Sequence, residues 1–311
     1  MRQARTALRA NERAGRGGQT RGWYGGGNKA GRGSSGLSSP LLTRVLTAAL
    51  LLAAFLAANF LLERSYFAAA VTIVIALAAH EWGRLCQISG RAALAYAGMV
   101  GLIFSALVFW LLPVAGAGRA GLAIFAAAGL FWMLAAPVWL WLGVGSRNQA
   151  LLPAAGLVVL VPAGLAAASL PPSVLLVLIA LVWVADTAAY FAGRAFGRRK
   201  LAPSISPGKT WAGVGGAILA TAAYAIICAV LIPSLANRVT GLMWLPYLAG
   251  AGMLCFVSVV GDLFESALKR QAGVKDSGML LPGHGGILDR IDSATAALPV
   301  GAMLFHLILA T

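Results

Sequence analysis

The chain has 311 residues, 60% of them hydrophobic and 11% charged, with a mean hydropathy of +0.84. A soluble domain carries about a quarter charged residues, so this composition excludes an ordinary soluble fold and indicates a protein that crosses a membrane several times. The net charge of +15 would suit nucleic acid, but its concentration at one end and in a few loops argues against such a partner.

Residues 1–39 hold eight Arg or Lys against the single acid Glu12, in a Gly/Ser/Arg-rich stretch with almost no aliphatic content. Such a segment cannot bury enough surface to fold and is expected to be disordered, a solvated basic tail that helps fix topology and can touch anionic headgroups. It does not resemble a cleaved signal peptide, because no short apolar stretch with a small-residue cleavage site ends before Pro40. From there, apolar windows of the length that crosses a bilayer as a helix, about 20 residues, lie near 45–62, 66–80, 93–112, 120–142, 150–169, 173–192, 213–233, 243–261 and 293–310. The expected fold class is therefore an all-α integral membrane protein with about nine transmembrane helices and cytoplasmic catalytic loops, since the alternating ten-residue segments of a β-barrel are missing. Pro171-Pro172 reads as a turn between two spans, and divides an N-terminal helical region (40–170) from a C-terminal catalytic one (171–311). Cys86, Cys228 and Cys255 are isolated and predict neither a disulfide framework nor a zinc site.

Cytoplasmic loops collect Lys and Arg. Nine spans with the N-terminus inside leave only Arg64, Arg119 and Arg238 on the outer side and the other 21 basic residues within. The C-terminus then lies outside, and the loops 193–212 and 262–292 share the nucleotide-bearing face of the membrane.

Two polar constellations occupy those loops. The first begins at Asp186, about 10 Å before the cytoplasmic end of the sixth span at roughly 1.5 Å per residue. A carboxylate inside a span is costly and is a candidate site residue, the structural alternative being a bond to Tyr190 or Arg194 on the same helix. Five cations and no acid follow, ending in Ser206-Pro207-Gly208-Lys209-Thr210. Gly208-Lys209-Thr210 has the ending of a phosphate-binding Walker loop, but Pro203 stands where that motif needs glycine and the context reads as transmembrane rather than strand-to-helix. Lys209 remains a phosphate-contact candidate.

The second holds five of the chain's nine acids, between Asp262 and Asp292. Asp262, Glu265, Ser266 and Lys269 recur at helical spacing and share one face of a continued eighth span. Asp289 and Asp292 face one way if 288–293 opens the ninth helix. Carboxylates with no nearby cysteine and a single histidine suit Mg²⁺, which takes a few carboxylate oxygens and completes its shell with phosphates and water. Between them Pro282-Gly283-His284-Gly285-Gly286 is a glycine-rich loop able to approach phosphate closely. His80-Glu81-Trp82, at the end of the second span, is accounted for by an interfacial tryptophan and a helix-end charge as well as by function. His306 reads as a hydrogen-bonded core histidine.

The run Ser266, Leu268, Lys269-Arg270, Lys275-Asp276, Gly278, Leu281-Pro282, His284-Gly285-Gly286 and Asp289-Arg290-Ile291-Asp292 resembles, without departure, the signature of the phosphatidate cytidylyltransferase family. Asp186, Tyr190, Gly193-Arg194 and Ser206-Pro207 with Lys209-Thr210 resemble its upstream blocks. The resemblance implies transfer of CMP from CTP to phosphatidate with Mg²⁺, in an enzyme of the cell membrane that forms a homodimer. It implies Asp262, Asp289 and Asp292 as metal ligands. Asp186, Lys209, Lys269, Arg270, Lys275, Asp276, His284 and Arg290 would be catalytic, and Ser206, Lys209, Ser266, Gly285 and Gly286 substrate-binding. The alternatives are a related CTP-dependent enzyme acting on a polyprenol or ether lipid, and an ion-coupled transporter, which would gather its polar groups near the midplane. The DGxxAR opening of a CDP-alcohol phosphotransferase is absent.

Overall fold

The computed structural model describes residues 39–111, 118–144, 150–281 and 283–309; the basic tail and Pro282 lie outside them. The chain is a helical membrane bundle. Its helices are α1 (Ser39–Leu61), α2 (Arg64–Leu85), α3 (Gly90–Leu111), α4 (Gly118–Leu130), α5 (Ala136–Leu142), α6 (Leu152–Ser169), α7 (Pro172–Phe196), α8 (Trp211–Leu231), the short α9 (Pro233–Ala236), α10 (Trp244–Gln271) and α11 (Leu288–Leu304). A π-helical turn, Phe131–Ala135, joins α4 to α5 so that the two run as one rod.

Among the described residues seven helical rods are long and apolar enough to cross a membrane. The expected first and last spans are present as helices but fall short of that measure: the apolar part of α1 is Val45–Leu61, and α11 opens on Asp289, Arg290 and Asp292 within only 17 residues. The Pro171-Pro172 turn is found, with α6 ending at Ser169 and Pro171 capping α7. Pro162, which punctuates the sequence, lies inside α6 without ending it.

Helix α6 is apolar on every side, a pattern that places a helix inside a bundle, and twelve of its eighteen residues are buried. Against it packs α2, whose C-terminal end is locked by the Trp82 indole donating to the Leu152 carbonyl (2.8 Å), while the Tyr96 hydroxyl from α3 donates to the Pro153 carbonyl (2.7 Å). These bonds satisfy the polar ends of rings that are otherwise buried. On α10, Phe264 is fully buried at the centre of an aromatic cluster. Its ring lies 6.3 Å from Trp82, 5.7 Å from Phe131, 5.8 Å from Trp132 and 5.5 Å from Trp139. The π turn presents Phe131 and Trp132 to it, an insertion of the kind that re-aims side chains.

Helix α10 runs 28 residues without a break, about 42 Å at 1.5 Å per residue, more than the roughly 30 Å hydrocarbon core needs. It thus carries Asp262, Glu265, Ser266 and Lys269 past the predicted end of its span on continuous helix. One element is absent from the sequence reading: the cationic loop contains an antiparallel hairpin, β1 (Lys200–Ala202) with β2 (Ser206–Thr210), pairing Lys200 with Thr210 and Ala202 with Ser206. His306 also departs from expectation. It lies half-buried in a π turn (Phe305–Leu309), stacked on Phe125 at 6.3 Å, and its Nε2 has no hydrogen-bond partner among the described residues. All three cysteines are free and buried.

The contact of α6 with α2 and α3 has no room for a side chain at Gly156, where a Cβ would lie 2.7 Å from Trp82 Nε1 and against the Tyr96 hydroxyl. Gly156→Val is therefore expected to cost about 1–3 kcal/mol through overpacking. Gly252→Ala on α10, where a Cβ meets nothing within 4 Å, should not lower stability and, by removing a mid-helix glycine, should raise it by about 0.5–1 kcal/mol. Thermal unfolding of the two variants in the same detergent checks the contrast.

Candidate active site

Four acids from three helices line one cavity of about 690 Å³: Asp186 from α7, Asp262 from α10, and Asp289 and Asp292 from α11. Lys209, from the hairpin, lines the same cavity and pairs with Asp262 at 2.7 Å. The local reasons are legible. Thr210 ends β2 and caps α8, its Oγ1 accepting the Gly213 N–H at 3.1 Å, so Lys209 is held one residue ahead of a helix start. The small residues Gly213 and Gly216 of α8 lie against Ala188, Ala189 and Ala192 of α7, a close helix pairing that brings Lys209 beside the Asp186 helix. Gly208-Lys209-Thr210 thus does stand at a strand-to-helix junction, contrary to expectation. The missing glycine at 203 and the antiparallel hairpin still separate it from a Walker loop.

Asp186 does not form the same-helix bond that was its structural alternative. Arg194 Nη1 donates instead to the Tyr190 hydroxyl (3.3 Å), and the electrostatic neighbours of Asp186 are Asp262, Lys209 and Ser293. Asp262 accepts from Ser266 Oγ (3.3 Å), one turn on, as helical spacing predicted.

Asp289 is engaged on both oxygens. Oδ1 accepts from Lys269 Nζ at 2.6 Å, and Lys269 also pairs with the buried Glu265 one turn back. Oδ2 accepts the Gly286 N–H (2.8 Å), the Ser277 N–H (2.9 Å) and the Ser277 hydroxyl (3.0 Å). Burial alone would raise its pKa, but these donors outweigh burial and hold it below the ordinary carboxylate range.

Of the expected site residues, the described wall of the cavity takes in Asp186, Ser206, Lys209, Asp262, Asp289 and Asp292, and not Ser266, Lys269, Arg270, Lys275, Asp276, His284, Gly285, Gly286 or Arg290. Lys269 and Ser266 reach it only through Asp289 and Asp262. Arg270 is turned away: its Nε donates to the Ile205 carbonyl (3.2 Å) and Nη1 to that of Val274 (3.3 Å), tying the hairpin turn to the end of α10. Lys275, Asp276 and Arg290 are exposed, while His284 is half-buried in a turn where its N–H donates to the Leu281 carbonyl. Gly285 has φ +79°, a conformation that favours glycine.

Glu81, in the sequence, fits a helix-end charge beside an interfacial tryptophan as well as it fits a functional group. It is 5% exposed, and its carboxylate accepts from the Ser277 hydroxyl (2.9 Å), the Ile287 N–H (3.1 Å) and the Leu288 N–H (2.8 Å). A Cβ on Gly286 would lie 2.6 Å from Glu81 Oε1, so this glycine admits a protein carboxylate. No local signal marks Glu81, because its partners lie about two hundred positions away.

The matching family model, described as the cytidylyltransferase family, aligns with residues 42–308. The chain belongs to that family. A phosphatidate cytidylyltransferase of Pseudomonas aeruginosa is 42% identical over 261 residues, which cover 79% of this chain and 89% of the relative. Enzymes of the same name from Haemophilus influenzae and Thermotoga maritima are 46% identical over 142 residues and 40% identical over 135. Each of those alignments covers 43% of this chain, and 46% and 49% of the relative, respectively. The cytidylyltransferase is thus a nucleotidyl-transferring membrane enzyme, which sets aside the transporter alternative.

Among the described residues no three His, Cys, Asp or Glu side chains converge closely enough to form a metal cage by themselves. Mg²⁺ does not require one, since it keeps waters and substrate phosphates as ligands and needs only one or two carboxylates. The oxygen-only donor set of the cavity fits such an ion.

Lys269 is the cation that two carboxylates share in this cytidylyltransferase. Lys269→Met leaves Glu265 buried without a partner and should cost about 3–5 kcal/mol. The exposed Lys275→Met should cost less than about 0.5 kcal/mol. Thermal denaturation in detergent would show the difference as a clear drop in midpoint for the first variant alone.

Proposed function

We propose that the enzyme transfers CMP from CTP to phosphatidate, giving CDP-diacylglycerol and pyrophosphate. The observation that carries this reading is one cavity lined by four acids together with the cations Lys209, Arg194 and Lys200, in a bundle of apolar helices. A lipid phosphate and a nucleotide triphosphate are both anionic, and the apolar helices beside the cavity offer a place for acyl chains.

In this reaction a phosphate oxygen of phosphatidate attacks the α-phosphorus of CTP. The P–O bond to the β-phosphate breaks and its electron pair leaves with pyrophosphate. The attacking oxygen is already ionised at neutral pH, so a general base adds little. Repulsion between the two anions and charge on the leaving group form the barrier, which positioned cations lower. Lys209 at the cavity wall, with Arg194 and Lys200 beside it, would meet phosphate oxygens. Asp262, Asp289, Asp292 and Asp186 are the carboxylates from which Mg²⁺ would take one or two ligands, phosphates and water completing its shell. When bound, that ion neutralises phosphate charge and fixes the phosphates in line. Asp289 is presented to it by Ser277 and Gly286. Ser206, in the cavity wall, would donate to a phosphate.

The reading extends to setting. The hairpin and the 262–292 segment, rich in Arg and Lys, would face the cytoplasm of a cell whose inner or plasma membrane holds the enzyme, with a second copy completing a homodimer.

The test is purified protein with radiolabelled CTP, phosphatidate and Mg²⁺, assayed for CDP-diacylglycerol and pyrophosphate. Chelation of divalent cations should abolish turnover. Asp262→Asn and Asp292→Asn should each lower it by about 100-fold or more while leaving membrane insertion intact. Transfer to a polyprenol or ether lipid in preference to phosphatidate would overturn the substrate assignment.

A further inference from the structure

We infer that Glu81 is a positioning residue for the transfer reaction: from α2 it holds the 277–288 segment in the shape that presents Asp289 to the cavity. The inference rests on the cytidylyl-transfer reading of that cavity.

Helix α11 carries Asp289 and Asp292, yet it begins without a cap of its own. Its N-cap residue is Ile287, which has no side chain able to accept the orphan N–H groups of the first turn. Glu81 supplies the acceptor from another helix. Its two oxygens take the Ile287 and Leu288 N–H groups, and its negative charge stands at the positive end of the helix dipole. Among the described residues no lysine or arginine pairs with it, so these donors alone compensate a buried carboxylate.

The same carboxylate is linked to Asp289 through one atom. Ser277 Oγ lies 2.9 Å from Glu81 Oε2 and 3.0 Å from Asp289 Oδ2. The hydroxyl has a single hydrogen and donates to one carboxylate at a time, while the Ser277 N–H stays on Asp289. Glu81 therefore sets where Ser277 stands, and Ser277 sets where Asp289 stands. Gly278 and Gly286 make room for this: a Cβ on Gly278 would lie 2.9 Å from the Glu81 carboxyl carbon, and one on Gly286 would reach both Glu81 and Ser277. The base of Glu81 is rigid, because its neighbour Trp82 donates to Leu152 and stacks on Phe264.

Glu81→Gln turns an acceptor into an amide that places its own donors against backbone N–H groups. Ser277→Ala removes the shared hydroxyl. In each, turnover should fall about 10- to 100-fold, the usual range when a group that orients a metal ligand is removed. The double variant should be no slower than the worse single one, because both act through one connection. Amide exchange, followed by mass spectrometry on protein in lipid nanodiscs without substrates, should quicken across 277–289 in both variants and stay unchanged in α2, α6 and α10. Wild-type turnover, additive losses in the double variant, or quickened exchange throughout the bundle would each overturn the inference, the last by making Glu81 a residue of general packing. If Glu81→Gln cannot be purified, the same turnover and exchange results for Ser277→Ala decide. A wild-type protein that makes no CDP-diacylglycerol would defeat the functional reading, whereas the exchange result would still report whether Glu81 orders the segment.

Discussion

A carboxylate withdrawn from water into an apolar bundle loses several kcal/mol of hydration, which only donors at close range offset. This protein gathers its acids at the margin of such a bundle and meets that constraint with a chain of shared partners. Lys269 lies between Glu265 and Asp289, and Ser277 between Asp289 and Glu81. Because the linking groups serve two neighbours each, removing one strands more than one acid. The cavity acids Asp262 and Asp292 stand beside this chain and inherit its geometry through the helices they share with it.

The two sides of the cavity are built differently. The acidic side rests on α10 and α11, and α10 is fixed through the aromatic rings around Phe264 to α2 and to the rod of α4 and α5. The cationic side is a short hairpin over a turn, attached by the Thr210 cap, the Lys209–Asp262 pair and the Arg270 bond to Ile205. Acids and cations brought into one cavity suit a ligand that carries phosphate charge together with a divalent cation. Preorganisation on the acidic side spares reorganisation when that ligand arrives.

Much of this was legible in the sequence. Apolar length alone located the helices, and helical spacing placed Asp262, Ser266 and Lys269 on one face of a helix that outruns the membrane. The hairpin escaped notice because its five-residue strand SPGKT has neither alternation nor β-branched residues to signal it, apart from Thr210. The π turn at Phe131 leaves no trace in hydropathy, since the residues on either side are equally apolar. Arg270 sits next to Lys269 in the chain but a helix turns it toward the hairpin, so adjacency in a motif did not mean adjacency in the site. Glu81 was unreadable for a different reason: its meaning lies wholly in donors brought to it by tertiary structure.

Those donors are 196, 206 and 207 positions further along the chain. A ribosome adding about 5–20 residues per second needs on the order of 10–40 s to cover that separation. Throughout that interval the end of α2 exists while Ser277, Ile287 and Leu288 do not, and the Glu81 carboxylate must keep its water. The Trp82 bond to Leu152, 70 positions on, can fix the second helix early, whereas the Glu81 contacts wait for nearly three times as much chain. The order of synthesis leaves this carboxylate waiting for its partners long after its own helix is made.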